Sequence, residues 1–393
     1  MASKLTTAIV LTAASTTFAI AGVLLWASRQ TFAPNFTRRY DIVPIMVTQD
    51  EIVLQPNWRT TAPGTFGLHI LGSDEPAVVG DVISRTEHQV KRRLIHRPRA
   101  LTSQARCSWS GITATAPDRP YFEVKLDTSL GQAPAWVVNP GSSTWAIHVH
   151  GQGSDRRQTL RGVETATAIG MTSLVVSYRN DGEAPASLDS RSHLGETEWW
   201  DLEEALRFVA NQGGTGCVVF GWSLGATIAV HALQRSNLSD MIKGLVMVSP
   251  VLSWEEVLRA NALHQGWPRV LGSVVARVVS LKGLKWLAGL DEPVDIRQAD
   301  AARFMGPFDV PALILHNRND WSVPIEVSRR FAESHQHQID LVEFDCIGHT
   351  QEWNSDPVMW DTAVRRWYGK LFQPDTVMEK AAGTATGLSD GVE

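Results

Sequence analysis

One stretch constrains this chain more than any other: Cys217-Val218-Val219-Phe220-Gly221-Trp222-Ser223-Leu224-Gly225-Ala226-Thr227-Ile228-Ala229-Val230. A short β-prone apolar run meets Gly-x-Ser-x-Gly, and a helical pattern follows at once. That is the pattern of a nucleophile elbow, a sharp strand-to-helix turn that lifts a serine hydroxyl above a sheet. Neighbouring backbone passes close to the positions two before and two after the serine, so both must be small. Gly221 and Gly225 meet that need, and Trp222 completes the elbow. A serine hydroxyl is a weak nucleophile, so the rest of the chain must supply a base and an acid to orient that base.

Two strand ends downstream carry suitable groups. Functional side chains of doubly wound sheets gather at the carboxyl ends of strands. Asp320 lies just past the apolar run 310–315, and His349 lies just past 339–344 after a glycine. Asp345 is a rival acid, but it stands only four residues before His349. His316, at a strand end, is a rival base that reads better as structural or pocket-lining. Further upstream, Trp145-Ala146-Ile147-His148-Val149-His150 is a strand that runs into Gly151-Gln152-Gly153. His148 and His150 at i, i+2 resemble metal ligands, but no third ligand is spaced to complete a site. Arg156 and Arg157 read as surface charges.

From about Ala135 to Leu371 the chain resembles the α/β-hydrolase family, in the order Ser223, Asp320, His349 and in its elbow. The resemblance implies that His349 takes the proton of Ser223 and later gives it to the leaving group. Asp320 would fix the imidazole tautomer. The His-Gly-x-Gly sequence at 150–153 resembles the family's oxyanion loop. The resemblance thus implies the N–H of Leu224 and that of Gln152 as oxyanion donors, with Gly151 the alternative. No cofactor or metal is implied.

The chain divides into four parts. Residues 1–29 hold an uncharged run, Leu5 to Ala27, long enough as a helix to span a bilayer core of about 20 residues. It is read as a retained single-pass transmembrane anchor, with a cleaved signal peptide as the rival, and the catalytic domain is placed outside the cytoplasm. Residues 30–134 form a linker and a β-rich region with short extended runs between Pro and Gly. Its basic run from Lys91 to Arg99 reads as a solvated edge. Residues 135–372 alternate strand and helix signals and form the catalytic domain, a mostly parallel doubly wound sheet of α/β class. A helical insertion at 253–306 reads as a lid over a pocket. Residues 373–393 read as a disordered tail.

A net charge of -5 and a pI near 6.2 give no reason to expect a nucleic-acid partner. The three cysteines are far apart and show neither zinc spacing nor a disulfide framework. The expectation is a membrane-anchored serine hydrolase cleaving a lipid-like or acylated ester. Alternatives with the same triad are a prolyl-oligopeptidase-like peptidase, an acyltransferase and a thioesterase. A non-enzyme alternative is a binding protein on an inactive hydrolase fold. Oligomeric state is not legible.

Overall fold

A computed structural model describes residues 22–23, 25–34, 36–281, 283, 285–301 and 309–372. The apolar strand runs assemble into two sheets. The smaller contains β1 (Met46–Val47), β2 (Glu51–Leu54), β3 (Phe66–Ile70), β4 (Ala77–Arg85), β5 (Val90–His96) and β6 (Cys107–Ser110). Its pairings are antiparallel and its order is β1-β2-β5-β4-β3-β6. The larger contains β7 (Tyr121–Thr128), β8 (Gly131–Val138), β9 (Thr144–Val149), β10 (Thr172–Val176), β11 (Gly216–Trp222), β12 (Ile242–Val248), β13 (Ala312–Asn319) and β14 (Ile339–Ile347). Its order is β14-β13-β12-β11-β9-β10-β8-β7.

Burial explains why the larger sheet is parallel at its centre. Every residue of β11 is buried, as a strand covered by helices on both faces must be. β11 pairs in parallel with β9 and β12, and the run continues through β13 and β14. Val219 packs into the core on one face, and Val218, Phe220 and Trp222 pack on the other against Trp360. β7 and β8 close the far edge antiparallel. The boundary drawn at residue 135 therefore falls inside β8. The alternating run at 122–126 belongs to the large sheet, as its half-exposed edge.

The helices cover both faces: α1 (residues 25–32), α2 (Leu160–Ala168), α3 (Trp199–Asn211), α4 (Leu224–Arg235), α5 (Trp254–His264), α6 (Arg269–Val279) and α7 (Lys285–Ala288). α8 (Ile325–Ser334), α9 (Glu352–Ser355) and α10 (Pro357–Phe372) follow. α5 and α6 open the insertion between β12 and β13, which also holds α7. They meet at Gly272, where an added Cβ would lie 2.5 Å from the backbone of Leu258.

The smaller sheet has its own core around Ile52, Leu54, Phe66 and Leu68. Arg92 does not join the solvated edge expected of the 91–99 run. Its guanidinium is buried and donates to the carbonyl oxygens of Gly80, Thr60, Ala62 and Gly64 at 2.6–3.0 Å. Four acceptors compensate the desolvation that its sequence neighbours avoid by staying exposed. Segments flanking β3 and β6 are tied to α9 through Asn354. Its Nδ2 donates to Thr65 O (2.7 Å) and Gly111 O (2.9 Å), and Thr65 N donates back to Asn354 O (2.8 Å).

The expected transmembrane anchor is corrected. No helix among the described residues is long and apolar enough to cross a membrane. Residues 1–21 and Leu24 lie outside the described residues. At the described end of the apolar run Ala27 packs on the main core, and just past the run Phe32 is wholly buried in it. An apolar side chain satisfied by protein contact leaves the same trace in sequence as one facing lipid. The single-pass localisation falls with the anchor. The tail at 373–393 also lies outside the described residues.

Candidate active site

The site grows from the turn between β11 and α4. Ser223 sits at φ 54°, ψ −112°, a backbone state that a side chain adopts only under constraint. Such strain costs of order 1–3 kcal/mol and persists where surrounding structure holds it. Here Ser223 N donates to Val248 O (2.9 Å), and Ala226 N donates to Ser223 O (3.1 Å). The flanking glycines are required by close approach. A Cβ on Gly221 would lie 2.6 Å from Ala226 Cα, and one on Gly225 would lie 2.2 Å from Val149 O. Trp222 is fully buried and stacks on Trp360 at 6.2 Å between centroids, so it anchors the turn from below.

The structure brings Ser223, His349 and Asp320 together from three strand ends. Ser223 Oγ is 2.8 Å from His349 Nε2, and His349 Nδ1 is 2.6 Å from Asp320 Oδ2. The other Asp320 oxygen accepts from the N–H groups of Ser322 (2.9 Å) and Val323 (3.0 Å). Burial works against a charge on Asp320, but the facing charge of His349 and hydrogen bonds from His316 and His349 outweigh it. Its carboxyl is held well below the usual carboxylate range. Burial likewise works against a charged His349, yet the Asp320 carboxylate, by charge and by hydrogen bond, lifts the imidazole above its ordinary value. Such a relay can draw a proton from the serine and hold it on the imidazole.

The three candidate oxyanion donors are not equivalent. Among the described residues no acceptor takes up the N–H of Leu224 or of Gln152. The N–H of Gly151 is already given to Gln158 Oε1 at 2.7 Å. The Gln152 side chain has a separate use: its Nε2 donates to Thr31 O at the end of α1 (2.8 Å).

Comparisons with known proteins fit this geometry. Residues 146–384, more than half of the chain, match the "Alpha/beta hydrolase family". The chain belongs to the alpha/beta hydrolase family. Residues 45–110, covering most of the smaller sheet, match a "Domain of unknown function (DUF8805)". Among solved structures, an esterase of Pyrococcus furiosus is similar at 19% identity and TM-score 0.51, over 66% of this chain and 99% of that one. A thermophilic esterase from Thermogutta terrifontis aligns at 18% identity and TM-score 0.44, over 64% of this chain and 99% of that one. A hyperthermophilic esterase from Pyrobaculum calidifontis aligns at 16% identity and TM-score 0.47, over 64% and 85%. At 19% identity the likeness to the Pyrococcus furiosus esterase speaks to fold alone. No curated protein matches the chain.

The hydrolase core holds its histidine loop with residues that carry no motif. Asn317 Nδ2 donates to Gly348 O (2.7 Å), while its Oδ1 accepts from Cys346 N (3.2 Å). Buried Arg161 donates to Thr350 O (2.7 Å) and to the Asn354 side chain, with its guanidinium 4.3 Å over the Trp222 ring. Buried Glu352 accepts from the Ser249 hydroxyl (2.5 Å) and from Asn317 N (3.1 Å). Among the described residues its other oxygen has no hydrogen-bond partner, and burial pushes the carboxyl above its ordinary value. Sequence reasoning missed all three. Glu352 follows His349 by only three residues, which was the one available signal.

The rival residues take other places. Asp345 is exposed and accepts from Asn319 Nδ2 (3.2 Å). His316 is buried behind Asp320, with Nδ1 on Ser328 Oγ (2.8 Å) and Nε2 on Val323 O (3.1 Å). His148 is buried against Phe220, and His150 is engaged through both ring nitrogens, with Gly151 O and Asp181. Among the described residues no group of three or more His, Cys, Asp or Glu could hold a metal ion. Tyr178 stacks on His150 and donates to its carbonyl, and Arg179 pairs with buried Asp201 (2.7 Å). Tyr178 thereby holds the start of the 150–153 loop. Arg156 is not a surface charge: it is buried over Trp136 at 3.9 Å.

Ser223, His349 and Gln152 open onto a cavity of about 280 Å³. Its far side is mostly apolar, formed by Val257, Leu258, Leu271 and Val275 of α5 and α6 together with side chains of the leading helical segment.

Proposed function

We propose that this alpha/beta hydrolase cleaves carboxylic esters through an acyl-enzyme on Ser223. The observation that carries the reading is the Ser223–His349–Asp320 relay at the mouth of a largely apolar cavity. Ser223 Oγ attacks the ester carbonyl carbon as its proton passes to His349 Nε2. The carbonyl oxygen becomes an oxyanion, and the N–H groups of Leu224 and Gln152 donate to it. Preorganised donors of this kind act where charge develops, at no cost of reorganisation. The tetrahedral intermediate then breaks its bond to the alkoxy oxygen. That oxygen takes the proton from His349 and leaves as the alcohol. Water enters, gives a proton to His349 and attacks the acyl carbon. Collapse restores Ser223 and releases the acid. Asp320 keeps the His349 proton on Nδ1 and stabilises the imidazolium in both halves.

The lipid-like substrate expected from the sequence narrows to its acyl side. The cavity lies just below the about 300–1,000 Å³ usual for small-molecule sites, so it takes an apolar acyl group of limited length. Hydrolysis of p-nitrophenyl esters, alongside labelling by a fluorophosphonate, tests the reading. Labelling that Ser223→Ala abolishes, with turnover of at least one ester, is the expected result. Labelling that survives the substitution, or no turnover of any ester, overturns it.

A further inference from the structure

Part of the cavity wall comes from outside the matched family segment. Val23, Trp26, Ala27, Gln30 and Thr31 all line the cavity that reaches Ser223 and His349. Their spacing is i, i+3, i+4, i+7, i+8, one stripe of a helix. The described end of the uncharged run therefore contributes Val23, Trp26 and Ala27 to the cavity wall. The segment is also tied down. Ser192 N donates to Phe32 O (3.0 Å), Arg191 Nη1 to Arg29 O (3.3 Å), and Gln152 Nε2 to Thr31 O (2.8 Å). The last bond joins this helix to the loop that holds the oxyanion donor.

We propose that the leading helix is the specificity-determining wall of the acyl site, with Ala27 and Trp26 setting the length of acyl group accepted. The proposal rests on the ester reading above. Ala27 is the smallest side chain of the stripe, and it packs on the main core, so added bulk there has only the cavity to enter. Trp26 is 49% exposed while lining the cavity, which puts it at the rim. Its indole covers volume that a longer chain would occupy. Discrimination between acyl chains then follows from contact with apolar wall, where one methylene changes kcat/KM by about 10- to 200-fold.

The test uses the full chain with a series of straight-chain p-nitrophenyl esters from acetate upward. The readout is the ratio of kcat/KM for the longest ester accepted by the wild type to that for acetate. Ala27→Trp is expected to lower this ratio by about tenfold or more, and Trp26→Ala to raise it or admit a longer ester. If Ala27→Trp does not fold, Trp26→Ala decides alone, since truncating a half-exposed rim residue removes no core packing. A ratio unchanged in the folded variants overturns the proposal and leaves the ester reading intact. Failure of the ester reading shows instead in the wild type, as no turnover of any ester.

Discussion

The two sides of the substrate cavity are built on opposite plans. The strand-end side sets His349 2.8 Å from Ser223 and 2.6 Å from Asp320, with the second Asp320 oxygen accepting from two backbone N–H groups. The helical side offers Val257, Leu271, Val275 and Ala27, none of which makes a directed bond to the site. Directed bonds weaken within tenths of an ångström, whereas apolar contact only needs volume filled. The first side therefore admits few residue types and leaves motifs. The second admits many and leaves none.

Substitutions can break or sharpen that contrast. On the strand-end side, Ser223→Ala should lower kcat by about 10⁶-fold for every ester alike, as steady-state and single-turnover rates would reveal. A loss confined to long esters would erase the distinction between the sides. Asp320→Asn should lower kcat by about 10⁴-fold, because the amide facing Nδ1 favours the wrong tautomer. The pH profile carries the same logic. Only neutral His349 can accept the serine proton, so kcat/KM falls as pH drops through the His349 pKa. Asp320 holds that pKa above the ordinary 6.5, and Asp320→Asn should move the acid limb to lower pH. An acid limb that stays in place would mean another group controls it.

Gln152→Met lies between the two sides. It keeps the loop N–H but removes the bond to Thr31 O, so kcat should fall about tenfold with the acyl-length ratio unchanged. Rescue by Gln152→Asn is not expected, since the shorter amide does not reach. The smallest effect is expected at Glu352. Gln keeps an oxygen that can accept from Ser249 and Asn317 N, so Glu352→Gln should change kcat/KM by less than about threefold. Glu352→Ala should instead cost about 1–3 kcal/mol in denaturant unfolding, by leaving the Ser249 hydroxyl and Asn317 N–H without their acceptor.

Legibility in the sequence follows the same division. The elbow could be read because Gly221 and Gly225 are demanded by backbone contacts within a few residues of Ser223. Asp320 and His349 could be picked out because parallel strands deliver their carboxyl ends to one edge. Gly151 was kept as the alternative donor to Gln152, since nothing local reveals that Gln158 already takes its N–H. Arg92 was grouped with its basic neighbours, although four carbonyl oxygens from 60–80 surround it. Those carbonyls come from residues whose own side chains carry no signal.

The sequence by itself determined the α/β alternation, the strained serine turn and the chain order of Ser223, Asp320 and His349. These depend on local backbone sterics and on the fixed direction of parallel strands. The tertiary structure decided where Trp26 and Ala27 pack, which candidate loop N–H is already taken and how large the cavity at Ser223 is. Each of those is a contact between distant segments. A hydrophobic stripe looks the same in sequence whether lipid, a core or a substrate will cover it, and only the packed chain distinguishes them.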